Sequence, residues 1–165
     1  GMLQRLEAEA ELACVLAHEV AHVSRYHGMQ ELEERRARIV AEDAFAELDA
    51  AIGPADAEYA AVERELEALA LGMYERIIAG RLEQYEAEAD RLGLLYAARA
   101  GYDPAALAAF LSRLASSGQA SSNAHYTSSG ARVRMARAQS YARRLKPLAQ
   151  PLVQRHRYQA AVQLR

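Results

Sequence analysis

Residues 3–26 favour helix without interruption, and Leu12, Leu16, Val20 and Val23 fall on one apolar arc at 100° per residue. That spacing predicts a first helix with those four side chains turned to a core, and Gly28 as its stop. Residues 31–51 predict a second helix, whose opening run ELEERRAR reads as a solvated charged face. Gly53 and Pro54 break it. Helix resumes over residues 56–80, with Val62, Leu66, Leu69 and Met73 at core spacing, and residues 81–99 continue or restart it. In AGYDPAAL, Gly101 suits the end of one helix, and Asp103 with Pro104 suits the N-cap and first position of the next, which runs to about residue 115. The segment 116–130, SSGQASSNAHYTSSG, has the composition of a long exposed loop. A helix over 131–145 follows, Pro147 and Pro151 interrupt, and the tail LVQRHRYQAAVQLR has the pattern of a short amphipathic helix. No strong strand signal and no repeat of 20 to 50 residues is present, so the expected class is mainly α.

Composition narrows this picture. A chain of 165 residues supports one sizeable core, expected over residues 1–146 with 147–165 as a tail. The formal charge of −2 gives no basic footprint for nucleic acid or an anionic membrane. No apolar run reaches the roughly 18 residues of a membrane span, and no signal peptide is evident. The abrupt helical start reads as a trimmed chain or native fragment, with Gly1 as a tag remnant; any membrane association would then reside in parts absent here. The lone cysteine, Cys14, is expected as a small buried residue on the first helix.

The chemistry lies in LACVLAHEVAHVSRYH, residues 12–27, where His18 and His22 bracket Glu19 in an apolar run. Histidines four apart stand one above the other on a helix, so both imidazoles can reach one ion. The intervening glutamate can hold the water that the ion activates. With five His and 17 Glu in the chain, chance supplies only about 0.015 such matches. The apolar flanks suit a buried active-site helix, which favours metal over a satisfied pair of core histidines.

A catalytic zinc needs a third protein ligand besides water. The candidates are another His or a carboxylate from a separate element. RLEQYEAEADRLGLLYAARAGYDP offers Glu86 and Asp90, four apart and pointing the same way. One carboxylate can complete the coordination, and the other can hydrogen-bond the far nitrogen of a ligating histidine. Glu83 shares the face of Glu86 a turn earlier, and Glu88 points about 200° away from it. Gly93 and Ala97 lie on nearly the same face as Glu86 and Asp90, where small residues would let the two helices approach closely.

EAELACVLAHEVAHVSRYH and EQYEAEADRLGLLYAARAGYDPAALAAFLSRL, in that order, resemble the zinc metallopeptidases that include HtpX and the CAAX prenyl endopeptidases, most closely their soluble bacterial envelope branch. The likeness spans roughly residues 3–145. It implies a mainly helical zincin-like fold with a small sheet beside the active-site helix. It implies one Zn2+ held by His18, His22 and Glu86, Glu19 as general base, and Asp90 behind the ligands as partner of His18. It also implies a protein or peptide substrate and a periplasmic setting. Two departures stand out. The strand region that usually precedes the first motif is missing before Gly1. The usual His-Pro pair is replaced by His125 and Tyr126, with the spacing to Arg132 one residue longer. His125 is a candidate zinc latch or oxyanion donor, and Tyr126 an oxyanion donor. His27 is read as a helix-end cap or surface residue, and His156 as part of a basic tail.

The function expected is a zinc-dependent endopeptidase. The alternatives are a latent or non-catalytic metal-binding module with a chaperone-like, quality-control role in the envelope, and a purely structural helical bundle. Without its upstream strand the fragment could bury apolar surface by exchanging an element between two protomers, giving a homodimer.

Overall fold

The first two helices are parted by two residues, one of them in an unusual conformation. A computed structural model describes residues 2–52, 57–116, 128–145 and 151–163. After a 3-10 turn at Met2–Arg5, α1 runs Glu9–Ser24 and α2 runs His27–Ile52. Tyr26 sits between them at φ 58°, and its carbonyl accepts from Met29 and Gln30 N–H. The stop thus lies two residues before Gly28, which belongs to the first turn of α2. His27, expected as a helix-end cap or a surface residue, opens α2 and is buried.

The third helix, α3, is continuous over Ala57–Arg99. It ends at Gly101, which takes φ 92° as the expected C-terminal glycine. Asp103 Oδ1 accepts from Ala105 N–H at 2.9 Å and caps α4, Ala105–Ser116. The remaining helices are α5, Ser128–Arg144, and α6, Arg155–Gln163. Among the described residues there is no strand, only an isolated parallel bridge between Tyr102 and Leu152. No helix among them is long and apolar enough to cross a membrane.

The chain forms two compact units, one of residues 1–25 with 84–165 and one of residues 26–83. In the first, Cys14 of α1, Leu94 and Ala97 of α3, Leu107, Ala108 and Leu111 of α4, and Ala138 of α5 make a buried core. Leu6, Phe110 and Tyr158 make a second cluster, against which Leu12 and Val15 pack. The segment after α5 returns to this unit as a strap. Leu152 N–H donates to Gly101 O and its carbonyl accepts from Asp103 N–H, while Val153 O accepts from Ala10 N–H at 3.2 Å. That last bond satisfies one of the orphan donors in the first turn of α1.

The face of α1 turned inward is not the predicted one. Leu16, Val20 and Val23 are 55, 56 and 76 % exposed, and the buried positions are Ala10, Glu11, Cys14, His18 and Ala21. The reason is close backbone approach. A Cβ built on Gly93 would lie 2.8 Å from His18 N and 2.9 Å from His18 Cα, so α3 meets α1 with no side chain between them. Small residues and polar site groups fit such a contact, and large aliphatics do not.

In the second unit, Val62, Leu66, Leu69 and Met73 are likewise exposed. The side of α3 that meets α2 is another stripe. There Tyr74 Oη donates to Glu34 O at 3.2 Å, Arg81 pairs with the Glu34 carboxylate, and the Arg38 guanidinium lies over the Tyr74 ring. At 100° per residue this stripe stands about a third of a turn from the aliphatic one.

Candidate metal centre

The site is assembled from three helices of the first unit. On α1, the four-residue spacing stacks His18 and His22, with ring centroids 4.6 Å apart in an edge-to-face arrangement. Their Nε2 atoms lie 3.0 Å apart. On α3, Glu86 brings Oε2 to 3.4 Å from His18 Nε2 and Oε1 to 3.3 Å from His22 Nε2. Asp90, one turn on, places Oδ1 3.0 Å from His18 Nδ1. Glu19 is exposed and lines a small cavity with Val15, His18, Phe110, Leu111 and Arg134. Glu88, by contrast, turns away and pairs with Arg25 at 2.8 Å. His125 and Tyr126 lie outside the described residues, and His156 is exposed on α6.

Burial and charge oppose each other here. His18 is 3 % exposed; burial alone would lower its pKa, but the facing carboxylates of Asp90 and Glu86 raise it to about 9. Burial pushes the Glu86 and Asp90 carboxyls up, and the facing histidines and Arg134 more than reverse this, leaving both below the ordinary carboxylate range.

Arg134 is the residue that sequence reasoning missed. From α5 its Nε and Nη2 donate to Asp90 Oδ2 and Oδ1 at 2.9 and 2.7 Å, and Nη1 lies 2.9 Å from Glu86 Oε2. Its signal appears only once the buried face of α5 is known. Ala131, Arg134 and Ala138, at spacings of three and four, are all buried, so the arginine interrupts an otherwise apolar stripe.

One ligand atom from each of His18, His22 and Glu86 lies within 4.8 Å of the others, and this set fits a metal ion. Tetrahedral zinc with bonds of about 2.0–2.1 Å holds its ligand atoms about 3.3–3.4 Å apart, close to the spacings above. His18 Nδ1, Glu86 Oε2 and Arg134 Nη1 are buried without a well-directed hydrogen bond; Asp90 Oδ1 lies 3.0 Å from the first, and the other two form an ion-pair contact at 2.9 Å. Two facing Nε2 atoms can share only one proton between them, whereas a cation would engage both lone pairs. Two imidazoles and a carboxylate are a donor set suited to zinc and neighbouring divalent metals.

Two histidines one turn apart on one helix, with a carboxylate from another, form a donor set that could hold a metal ion. The profile of Peptidase family M48 matches residues 1–142, and the chain belongs to this family. A relative from Vibrio cholerae is 34% identical over 117 residues, 70% of this chain and 23% of its own length. Two relatives named beta-barrel assembly-enhancing protease are similar to it as well. That of Escherichia coli K12 is 33% identical over 108 residues, 64% of this chain and 21% of its own. That of Yersinia pestis is 31% identical over 117 residues, 70% of this chain and 23% of its own. The chain thus spans between a fifth and a quarter of the length of these relatives. No solved structure gives a significant match.

Proposed function

We propose that this domain is a zinc-dependent endopeptidase in which His18, His22 and Glu86 hold the metal and Glu19 is the general base. The observation that carries the reading is the triangle of His18 Nε2, His22 Nε2 and a Glu86 oxygen, with Glu19 next to His18 on the same helix. Zinc held there supplies Lewis acidity, polarising a scissile carbonyl and making water acidic near neutral pH.

The protein's own groups do the rest. His18 and His22 present neutral Nε2 atoms. Asp90 Oδ1, 3.0 Å from His18 Nδ1, favours the tautomer with its proton on Nδ1, which leaves Nε2 for the metal. Glu19, exposed and lining the small cavity beside His18, takes a proton from the attacking water and returns it to the departing amine. The substrate is a peptide or protein. The names of the relatives support substrates among proteins connected with β-barrel assembly, and hence action in the bacterial cell envelope.

The test is casein cleavage by the zinc-loaded chain, with and without chelator. Glu19→Gln is expected to retain zinc and lose at least about 100-fold in rate, the scale of general base catalysis. Glu86→Ala is expected to lose the metal. Full activity in Glu19→Gln would overturn the general-base role. Absence of any chelator-sensitive cleavage in the wild type would favour a non-catalytic metal-binding module.

A further inference from the structure

Asp90 and Glu86 bring two carboxylates into one buried place, and such groups stay ionised only when positive charge and hydrogen bonds compensate them. Once His18 and His22 serve as neutral ligands, the metal compensates Glu86, and Asp90, which is not in the ligand set, draws its charge compensation from Arg134. The arginine is 7 % exposed, it grips both oxygens of Asp90, and its third nitrogen reaches Glu86 Oε2 at 2.9 Å. A guanidinium presents these donors in one rigid plane, which lysine cannot reproduce.

The contact with Glu86 is one-sided. Arg134 Nη1 forms an ion-pair contact with Oε2 at 2.9 Å, and Oε1 stands 3.3 Å from His22 Nε2. We propose that Arg134 is a positioning residue of the metal centre. Its fork holds Asp90 beside His18 Nδ1, and its charge beside Oε2 favours coordination of the metal through a single Glu86 oxygen, Oε1. This inference rests on the metallopeptidase reading and assigns a role to a residue that touches neither substrate nor metal.

The experiment uses the whole chain, stripped of metal and titrated with Zn2+ against a chelating indicator and with Co2+ in the visible region. Arg134→Lys and Arg134→Met are compared with Asp90→Asn and with Arg132→Ala, an exposed arginine on the same helix. Zn2+ affinity is expected to fall about 10- to 100-fold in both Arg134 variants, as for other groups behind metal ligands. Their Co2+ bands are expected to weaken and shift as a second Glu86 oxygen enters the coordination sphere. Arg132→Ala should stay within about twofold of wild type on the same scale.

A purely structural role predicts lower melting temperatures with unchanged Zn2+ affinity and Co2+ spectrum per folded molecule, and that result overturns the proposal. If Arg134→Met does not fold, Arg134→Lys and Asp90→Asn carry the comparison. Failure of all three to fold, beside a metal-free wild type that does, also assigns Arg134 to the scaffold and overturns the proposal. A wild type that takes up neither metal defeats the metallopeptidase reading itself. A wild type that binds metal, with Arg134 variants that bind it equally well, defeats only the proposal.

Discussion

At the scale of residues, most of the candidate site could be named from spacing. His18, Glu19 and His22 share one short motif, and Glu86 with Asp90 repeats the same four-residue logic on another helix. Arg134 could not be named this way, because an arginine in ARVRMARA looks like any other until the faces of α5 are known. Its meaning comes from burial between Ala131 and Ala138 and from contacts 44 residues away in the chain. Cys14 shows the converse. Its burial was expected from its neighbours, and the consequence is chemical: desolvation raises the thiol from 9.0 to about 12. The thiolate is the reactive form. The folded chain is therefore expected to resist iodoacetamide at pH 8 for hours, and to be alkylated at once in denaturant. Rapid labelling of native protein, followed by mass spectrometry, would show the thiol to be accessible.

At the scale of elements, helix positions were legible, and so was the small-residue face of α3 at Gly93, but the aliphatic faces were not. Hydrophobic period marks an apolar stripe, but it does not say which stripe meets a neighbour. On α1 the inward face belongs to small residues and His18 because the backbones nearly touch at Gly93. On α3 it belongs to Tyr74 and Arg81 instead of Leu66 and Met73. The Gly93 contact carries a sharp expectation. In Gly93→Ala the new methyl meets backbone at 2.8–3.2 Å, so α1 and α3 must move apart. Overpacking of this kind costs about 1–3 kcal/mol. The same movement separates His18 from Glu86, so Zn2+ affinity of the folded protein should fall at least about tenfold. Chelator competition and urea unfolding on the same variant separate the two effects. Unchanged metal affinity would mean that the helices can part without spreading the ligands.

At the scale of the whole molecule, the family and the mainly helical class were legible from two ordered motifs. The aliphatic residues exposed on α2 and α3 were not, because apolar periodicity alone reads as core. The site's charges also shape the stability of the metal-free chain. Glu86 and Asp90 have lowered pKa values, so their contribution is present above about pH 4 and lost as the pH falls through the folded values. His18 is raised from 6.5 to about 9, so its contribution is full below pH 6.5 and lost as the pH rises through about 9. Metal-free protein should therefore be most stable between about pH 5 and 6.5. Saturating zinc should remove the alkaline decline, because a bound imidazole is already neutral. Urea midpoints from pH 3 to 10, with and without zinc, test this. Equal metal-free midpoints at pH 6 and pH 9 would contradict it.

The strap of residues 151–153 has a consequence for the order of events during biosynthesis. The helix bearing both histidines is made well before residue 153, yet Ala10 N–H finds its acceptor in Val153. That hydrogen bond in the first turn of α1 can therefore form only after residue 153 has been added. Until then a nascent copy would hold its histidines on an unfinished support.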